Sequence, residues 1–285
     1  MDKGFLTLAL KHPLYGRFAY NLALSIKACD PKQKISVIAD DIALSHLHEG
    51  QKMIFDRIIK PKKKHYYRGD KCLPLICKFY LNELTPYKLE TQFVDADMVF
   101  SQFAQFEKLW SDMTEVQWTM ANRGINEPDK GISEWVDSNK LKEAYSDVNQ
   151  WYDLSSEWIY WKTGELADSI FKKAVKYYDE GKLLTRSFAG DKPDEPFFCL
   201  ALNNQNHAPH KLPWQPTYWQ PAIRKIYNIM EIKKQWYAFS AGGNHLSSFQ
   251  QKVYDDMVKN ASYKMNMQSM TIFNKRNQLK ERNII

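Results

Sequence analysis

Apolar residues follow two alternating rhythms along the first hundred positions. Phe5–Leu10 is a short apolar run of the kind a buried strand carries. Leu14, Phe18, Leu22 and Ile26 then return every fourth residue, as one face of an amphipathic helix does. Ile35–Ala39 predicts a second strand, closed by Asp40-Asp41, and Met53–Ile59 a third. Residues 73–84 read as a helix with Pro74 in its first turn, where a missing N–H is tolerated. Gln92–Val94, Val116–Ala121 and Glu157–Trp161 read as further strands, and Ile170, Phe171, Ala174, Val175 and Tyr178 mark another helical face. A helix is expected after Asp194-Glu195-Pro196, with Asp194 as its N-cap, and a last one over Ser247–Lys259 behind a Gly242-Gly243 turn. Such alternation predicts an α/β domain with a largely parallel sheet. Ligands of these sheets bind beyond the carboxyl ends of the strands, so acids at strand ends carry the most weight.

Composition narrows the class. With 44% hydrophobic and 14% aromatic residues the chain can bury a large core, which excludes disorder, and 285 residues suit one large domain with a small appendage. No stretch approaches the ~20 apolar residues of a membrane span. The apolar run after Met1-Asp2-Lys3-Gly4 is shorter than a signal-peptide core, so a soluble, cytoplasmic protein is expected. Four cysteines do not make a disulfide scaffold; Cys72 and Cys77 lack zinc spacing and read as buried thiols. The Ala-Pro between His207 and His210 breaks any helix, and no Cys or acid completes a metal site there.

Charge is unevenly distributed. Residues 57–71 hold seven basic residues and one acid, and residues 275–285 four basic residues and one acid. These two segments carry +6 and +3 of the net +7, which leaves the other 259 residues at −2. Localised basic patches suit an anionic partner, whether nucleic acid, acidic glycan or membrane surface. They equally suit a solvated loop and tail kept soluble by lysine. Trp214, Tyr218 and Trp219 form a Pro-rich aromatic loop that suits surface packing or stacking on a ring.

The sharpest feature is Asp95-Ala96-Asp97 inside the apolar Phe93–Phe100. In an extended strand positions i and i+2 share a face, so both carboxylates would converge. Two carboxylates buried together repel, and a divalent cation with oxygen preference, Mg²⁺ or Mn²⁺, relieves that. The alternative is a polar turn between two short strands. Neither a GxxxxGK[ST] nor a GxGxxG motif is present, which counts against kinase, NTPase and dehydrogenase readings.

A strand running into the helix at Tyr15–Ser25, a basic helix with Lys71 and Lys78, and a hydrophobic strand ending in Asp95-Ala96-Asp97 occur in that order. Ser155–Tyr160 and Asp194–Phe198 follow. In this the chain resembles nucleotide-sugar-dependent glycosyltransferases of the GT-A fold, most of all the glycogenin-like and lipopolysaccharide-galactosyltransferase group. The resemblance implies a mainly parallel mixed sheet flanked by helices, with a catalytic domain over residues 1–260 and a basic, helical C-terminal extension over 261–285. It implies transfer of a hexose from a UDP-sugar with retention, Asp95 and Asp97 holding Mn²⁺ or Mg²⁺ on the diphosphate. Ala9, Leu10, Lys11 and Tyr15 would meet the nucleoside, Lys71, Lys78, Ala96 and Ser156 the donor, and Asp194 or Glu195 the sugar. The family's third metal ligand is a histidine; His245, after Gly242-Gly243, is its candidate here, although no lysine follows it at the family spacing. The implied acceptor is a glycan, reached with peripheral membrane contact, or a modified DNA base. A non-catalytic nucleic-acid-binding protein on a degenerate fold is the competing expectation.

Overall fold

The structure, a computed structural model, describes residues 1–126, 135–136, 138–148, 151–183, 185–187, 190–210, 217–218, 238–240 and 248–281. The N-terminal half alternates as its hydrophobic pattern predicts. Strand β1 (Lys3–Ala9) leads into α1 (Pro13–Cys29), β2 (Ile35–Ala39), the short helices α2 (Asp41–Leu44) and α3 (Glu49–Lys52), and β3 (Arg57–Ile59). A small hairpin, β4 (Tyr67–Arg68) and β5 (Lys71–Cys72), precedes a 3-10 helix over Pro74–Tyr80 and α4 (Leu81–Leu84). Next come β6 (Glu90–Val94), β7 (Met98–Phe100), α5 (Phe106–Asp112) and β8 (Trp118–Asn126). The remainder comprises α6 (Ser138–Ala144), β9 (Trp151–Lys162), α7 (Glu165–Glu180), α8 (Glu195–Asn204), β10 (Thr217–Tyr218), β11 (Ala238–Ser240) and α9 (Ser248–Glu281).

Six strands form the central sheet in the order β3-β2-β1-β6-β9-β8. The first four are mutually parallel, β9 runs antiparallel to both neighbours, and β8 closes the edge. After β1 the chain builds outward through β2 and β3, then returns to place β6 on the other side of β1. The strand order therefore reverses between β1 and β6, the switch point at whose carboxyl ends the ligand crevice of such sheets lies. A second sheet, β10-β11-β7, carries the chain away from β6: Ala238 pairs Phe100 and Ser240 pairs Met98.

Side-chain alternation divides the core in two. Phe5, Ala9, Ile35, Val37, Trp158 and Tyr160 face α1 and α5, whereas Leu6, Ile38, Phe93, Ile159 and Trp161 face α7 and α8. Both faces are covered, which is why every residue of β2, Ser36 included, is buried. Helix α1 packs so closely on α2 that a Cβ at Gly16 would lie 1.9 Å from the Ala43 carbonyl oxygen, and only glycine fits. Helix α9 packs on α1 through Tyr254 against Phe18, and runs without a break past residue 260. No described helix is long and apolar enough to cross a membrane.

Three expectations need amendment. Residues 73–84 form mostly a 3-10 helix, because three residues per turn eclipse Ile76 and Phe79 on the core side. Only Arg57–Ile59 of the third predicted strand pairs. Asp194 occupies the N-cap position of α8 without making a side-chain cap hydrogen bond, because its carboxylate turns toward Lys78 instead.

Asp56, just before β3, ties the β2 edge together. Its carboxylate accepts from the Ile35 N–H at 2.9 Å and from Lys27 and Lys34 at 3.0 Å each. Burial pushes this carboxyl up, but these donors outweigh it and hold it below the usual carboxylate range. Its stabilising contribution is therefore complete above the unfolded value of about 3.9 and lost as pH falls through the lower folded value. Asp56→Asn should cost about 2 kcal/mol at neutral pH. In urea unfolding followed across pH, the gap between variant and wild type should close below about pH 4.

Candidate active site

At the crevice, β1 ends in Ala9, Leu10 follows, both buried, and then Lys11 takes φ +72°. A non-glycine residue in that region is strained. Asp40, at the end of β2, accepts from the Lys11 N–H at 2.8 Å with one oxygen and from the Ala43 N–H at 2.8 Å with the other. One carboxylate thus pins the strained residue and caps α2. Tyr15, in the first turn of α1, opens on the same crevice: burial raises its phenol above the ordinary range, and the charges of Asp97 and Asp95 raise it further.

Asp95-Ala96-Asp97 is a turn between β6 and β7, closed by Met98 N–H donating to the Asp95 carbonyl at 3.2 Å. The acids are thus brought together by a tight turn and not by strand periodicity, which corrects the extended-strand expectation. β9 enters the same point from the opposite direction, and the Asp95 N–H donates to the Glu157 carbonyl at 2.9 Å.

Lys78 is the hub. Its side chain is 6% exposed, and its ammonium donates to the Asp95 carboxylate at 2.9 Å, the Ser156 hydroxyl at 2.9 Å and the Ser156 carbonyl at 3.3 Å. Asp194 lies 3.9 Å away. Burial disfavours the ammonium, but Asp194 and Asp95 outweigh it and hold Lys78 above the ordinary lysine range. Glu195 is fixed beside them: the Trp135 indole N–H donates to one oxygen at 2.8 Å and the Ser156 N–H to the other at 3.1 Å.

The balance of charge is lopsided. Asp95, Asp97, Glu157, Asp194 and Glu195 act electrostatically on one another or on Lys78. Burial pushes Asp95 up to about 7, with Lys78 opposing and Asp97 adding to the rise. Burial, then Asp97 and Asp95, push Glu157 up to about 8. Carboxyl groups gathered in this way are hard oxygen donors of the kind that fit a divalent cation. Among the described residues no three His, Cys, Asp or Glu side chains are grouped closely enough to hold a metal, so the fit is one of charge and donor chemistry.

Hydrogen bonds and charge link Tyr15, Lys78, Asp95, Asp97, Ser156, Asp194 and Glu195, with Ala96 inside the Asp95–Asp97 turn, while Ala9, Leu10 and Lys11 stand at the carboxyl end of the neighbouring β1. Lys71 stands apart, on β5, donating to the Gly190 carbonyl at 2.9 Å. His245, with Trp214 and Trp219, lies outside the described residues. His207 faces the Trp118 carbonyl, and all four cysteines are free thiols. Glu157, Asp40 and Tyr254 go unselected in the sequence. Glu157 is masked by its apolar neighbours, although its strand was singled out; it accepts from Ser240 Oγ at 2.7 Å at the end of β11. Asp40 was visible as the acid ending β2. Tyr254, held by Asn21 at 3.2 Å and raised by burial, feels Asp97 from α9, and no sequence signal placed it there.

Removing the ammonium leaves its carboxylates buried without a cation, so Lys78→Met should destabilise by about 3 kcal/mol. Adding Asp95→Asn should restore part of that, giving a coupling of about 1 kcal/mol or more across the four proteins of the cycle in urea unfolding. Additive losses would contradict the ion pair.

No protein-family model matches the chain, and no curated protein matches its sequence. Solved structures do match its shape. The galactosyltransferase LgtC, in complex with donor and acceptor sugar analogues, superposes with TM-score 0.57 over 91% of this chain and 95% of that one, at 11% identity. The bifunctional glycosyltransferase WbbM gives 0.55 over 94% of this chain and 51% of that one, at 11% identity. Mouse xyloside xylosyltransferase 1 gives 0.50 over 86% and 99%, at 9% identity. The chain has the GT-A fold.

Proposed function

We propose that this protein is a metal-dependent glycosyltransferase that moves a hexose from a UDP-sugar to a saccharide acceptor with retention of configuration. The observation that carries the reading is the Lys78 ammonium. It joins Asp95, at the carboxyl end of β6, to Asp194, at the start of α8, across the crevice of a fold shared with sugar transferases. Asp95 and Asp97 are the residues that would hold Mn²⁺ or Mg²⁺, which when bound supplies Lewis-acid neutralisation of the departing diphosphate. His245 is proposed as a third ligand. Ser240 ends β11 opposite Met98, the neighbour of Asp97, and five residues of chain reach at most about 17 Å.

The chain's own groups do the remaining work. Backbone at Ala9–Lys11, held by Asp40, and the Tyr15 phenol receive the nucleoside. Lys78 orients Asp95 and offers positive charge toward the donor. Glu195, fixed by Trp135 and Ser156, presents a carboxylate to the sugar, where it binds hydroxyls or stabilises developing positive charge at the anomeric carbon. A purely nucleic-acid-binding role is less well supported. Lys60, Lys64 and Arg68 of the basic segment are paired with Asp41, Glu83 and Asp179, which offsets part of its charge.

Incubation with radiolabelled UDP-glucose and UDP-galactose should reveal slow donor hydrolysis that requires Mn²⁺ and stops with EDTA. Asp95→Asn should lower it about 100-fold or more while the protein stays folded. Failure to bind UDP by calorimetry, with and without Mn²⁺, would sink the reading.

A further inference from the structure

A second cleft, of about 520 Å³, opens between the β4–β5 hairpin, the C-terminal end of α7 and the residues leading into α8. Arg68, Lys71, Tyr178, Asp179, Asp191 and Lys192 decide its chemistry. Arg68 is already engaged: it grips Asp179 with two nitrogens at 2.7 and 3.2 Å and donates to Tyr80 and to the Lys64 and Tyr67 carbonyls. Asp179 is thereby neutralised. Asp191 accepts from the Tyr178 hydroxyl and the Lys192 N–H through one oxygen, and its other oxygen is shielded from solvent.

The two lysines are differently placed. Lys71 donates only to the Gly190 carbonyl at 2.9 Å, and Lys192 only to the Tyr178 carbonyl at 3.0 Å while lying 4.6 Å over the Tyr178 ring. Neither has a carboxylate within ion-pair distance among the described residues, and each keeps spare N–H donors. The cleft therefore presents two ammonium groups without a direct ion-pair partner among the described residues, one on a hairpin strand and one against a helix end.

Its position couples it to the crevice. Lys192 stands 5.8 Å over the ring of Phe197, in the first turn of α8. Only Pro193 separates Lys192 from Asp194, a chain distance of about 7 Å at most. The cleft therefore adjoins, along the chain, the start of α8 that carries Asp194 and Glu195.

We propose that this cleft binds an anionic group, phosphate or carboxylate, carried by the acceptor saccharide. The identity of the ligand as acceptor rests on the glycosyltransferase reading; the recognition of its anionic group rests on the cleft alone. Paired ammonium groups select a charged substituent over a hydroxyl through charge-assisted hydrogen bonds.

Calorimetric titration with glucose 6-phosphate, glucose and inorganic phosphate tests it on the full chain. Glucose 6-phosphate should bind more tightly than either of the others. Lys71→Met and Lys192→Met should each weaken it about tenfold and flatten its salt dependence. Asp95→Asn should leave it unchanged, and matched thermal unfolding should show that the lysine variants remain folded. The proposal is overturned by equal binding of glucose, by inorganic phosphate binding as tightly as the sugar phosphate, or by variants that bind like wild type. If donor hydrolysis persists in that case, only the cleft assignment falls; if hydrolysis is absent while the anion still binds through both lysines, the glycosyltransferase reading falls instead.

Discussion

Several carboxylates gathered at one sheet edge repel one another and resist leaving water, so a fold that keeps them there must supply a cation of its own. In this chain the resident cation is Lys78. Its demands explain neighbouring choices that local propensity does not. The segment bearing it winds as a 3-10 helix, which turns Ile76 and Phe79 to the core while Lys78 enters the crevice. Ser156 gives up both its hydroxyl and its carbonyl to the ammonium. Asp194 forgoes capping its own helix to remain near the same charge. A hairpin-side element, an antiparallel strand and a helix start are thus held in register by one side chain.

Departures from local rules concentrate at this edge. Lys11 adopts a left-handed backbone, Asp95 and Glu157 are shifted toward neutrality, and an Asp194 oxygen has no hydrogen-bond donor among the described residues. Each is costly in isolation, and proteins retain such features where chemistry requires them. The opposite end of the sheet shows ordinary physics: Asp56 there is fully satisfied by an amide and two lysines.

How much of this could be read from residues alone depended on the range of the interaction. β1, α1 and β2 declared themselves through their hydrophobic pattern, because strands covered on both faces are mostly apolar and a helix against them shows one apolar stripe. Asp95 and Asp97 stood out because charge is rare in such a run. The convergence of Lys78, Ser156, Asp194 and Glu195 came from family pattern, and the contacts themselves involve partners 17 to 116 positions apart, which no local rhythm encodes. Glu157 was hidden inside an apolar strand, since its solvent-poor position is created by β11 and the Asp95 turn. The net charge of +7 was similarly opaque: several basic residues of 57–71 turn out to be tied to acids elsewhere, and Lys71 belongs to a different cleft from Lys78.

The antiparallel return of β11 along β7 has a consequence for how the molecule assembles. Ser240 meets Glu157 only after the chain has passed through α7, α8 and β10 and doubled back to the strand that leaves the Asp95 turn. Contacts of such long sequence separation are entropically expensive to close and tend to form late, whereas β1, α1 and β2 join neighbours in the chain. The β7–β11 pairing, which brings Ser240 to Glu157, is therefore one of the long-range contacts on which completion of this edge of the sheet depends.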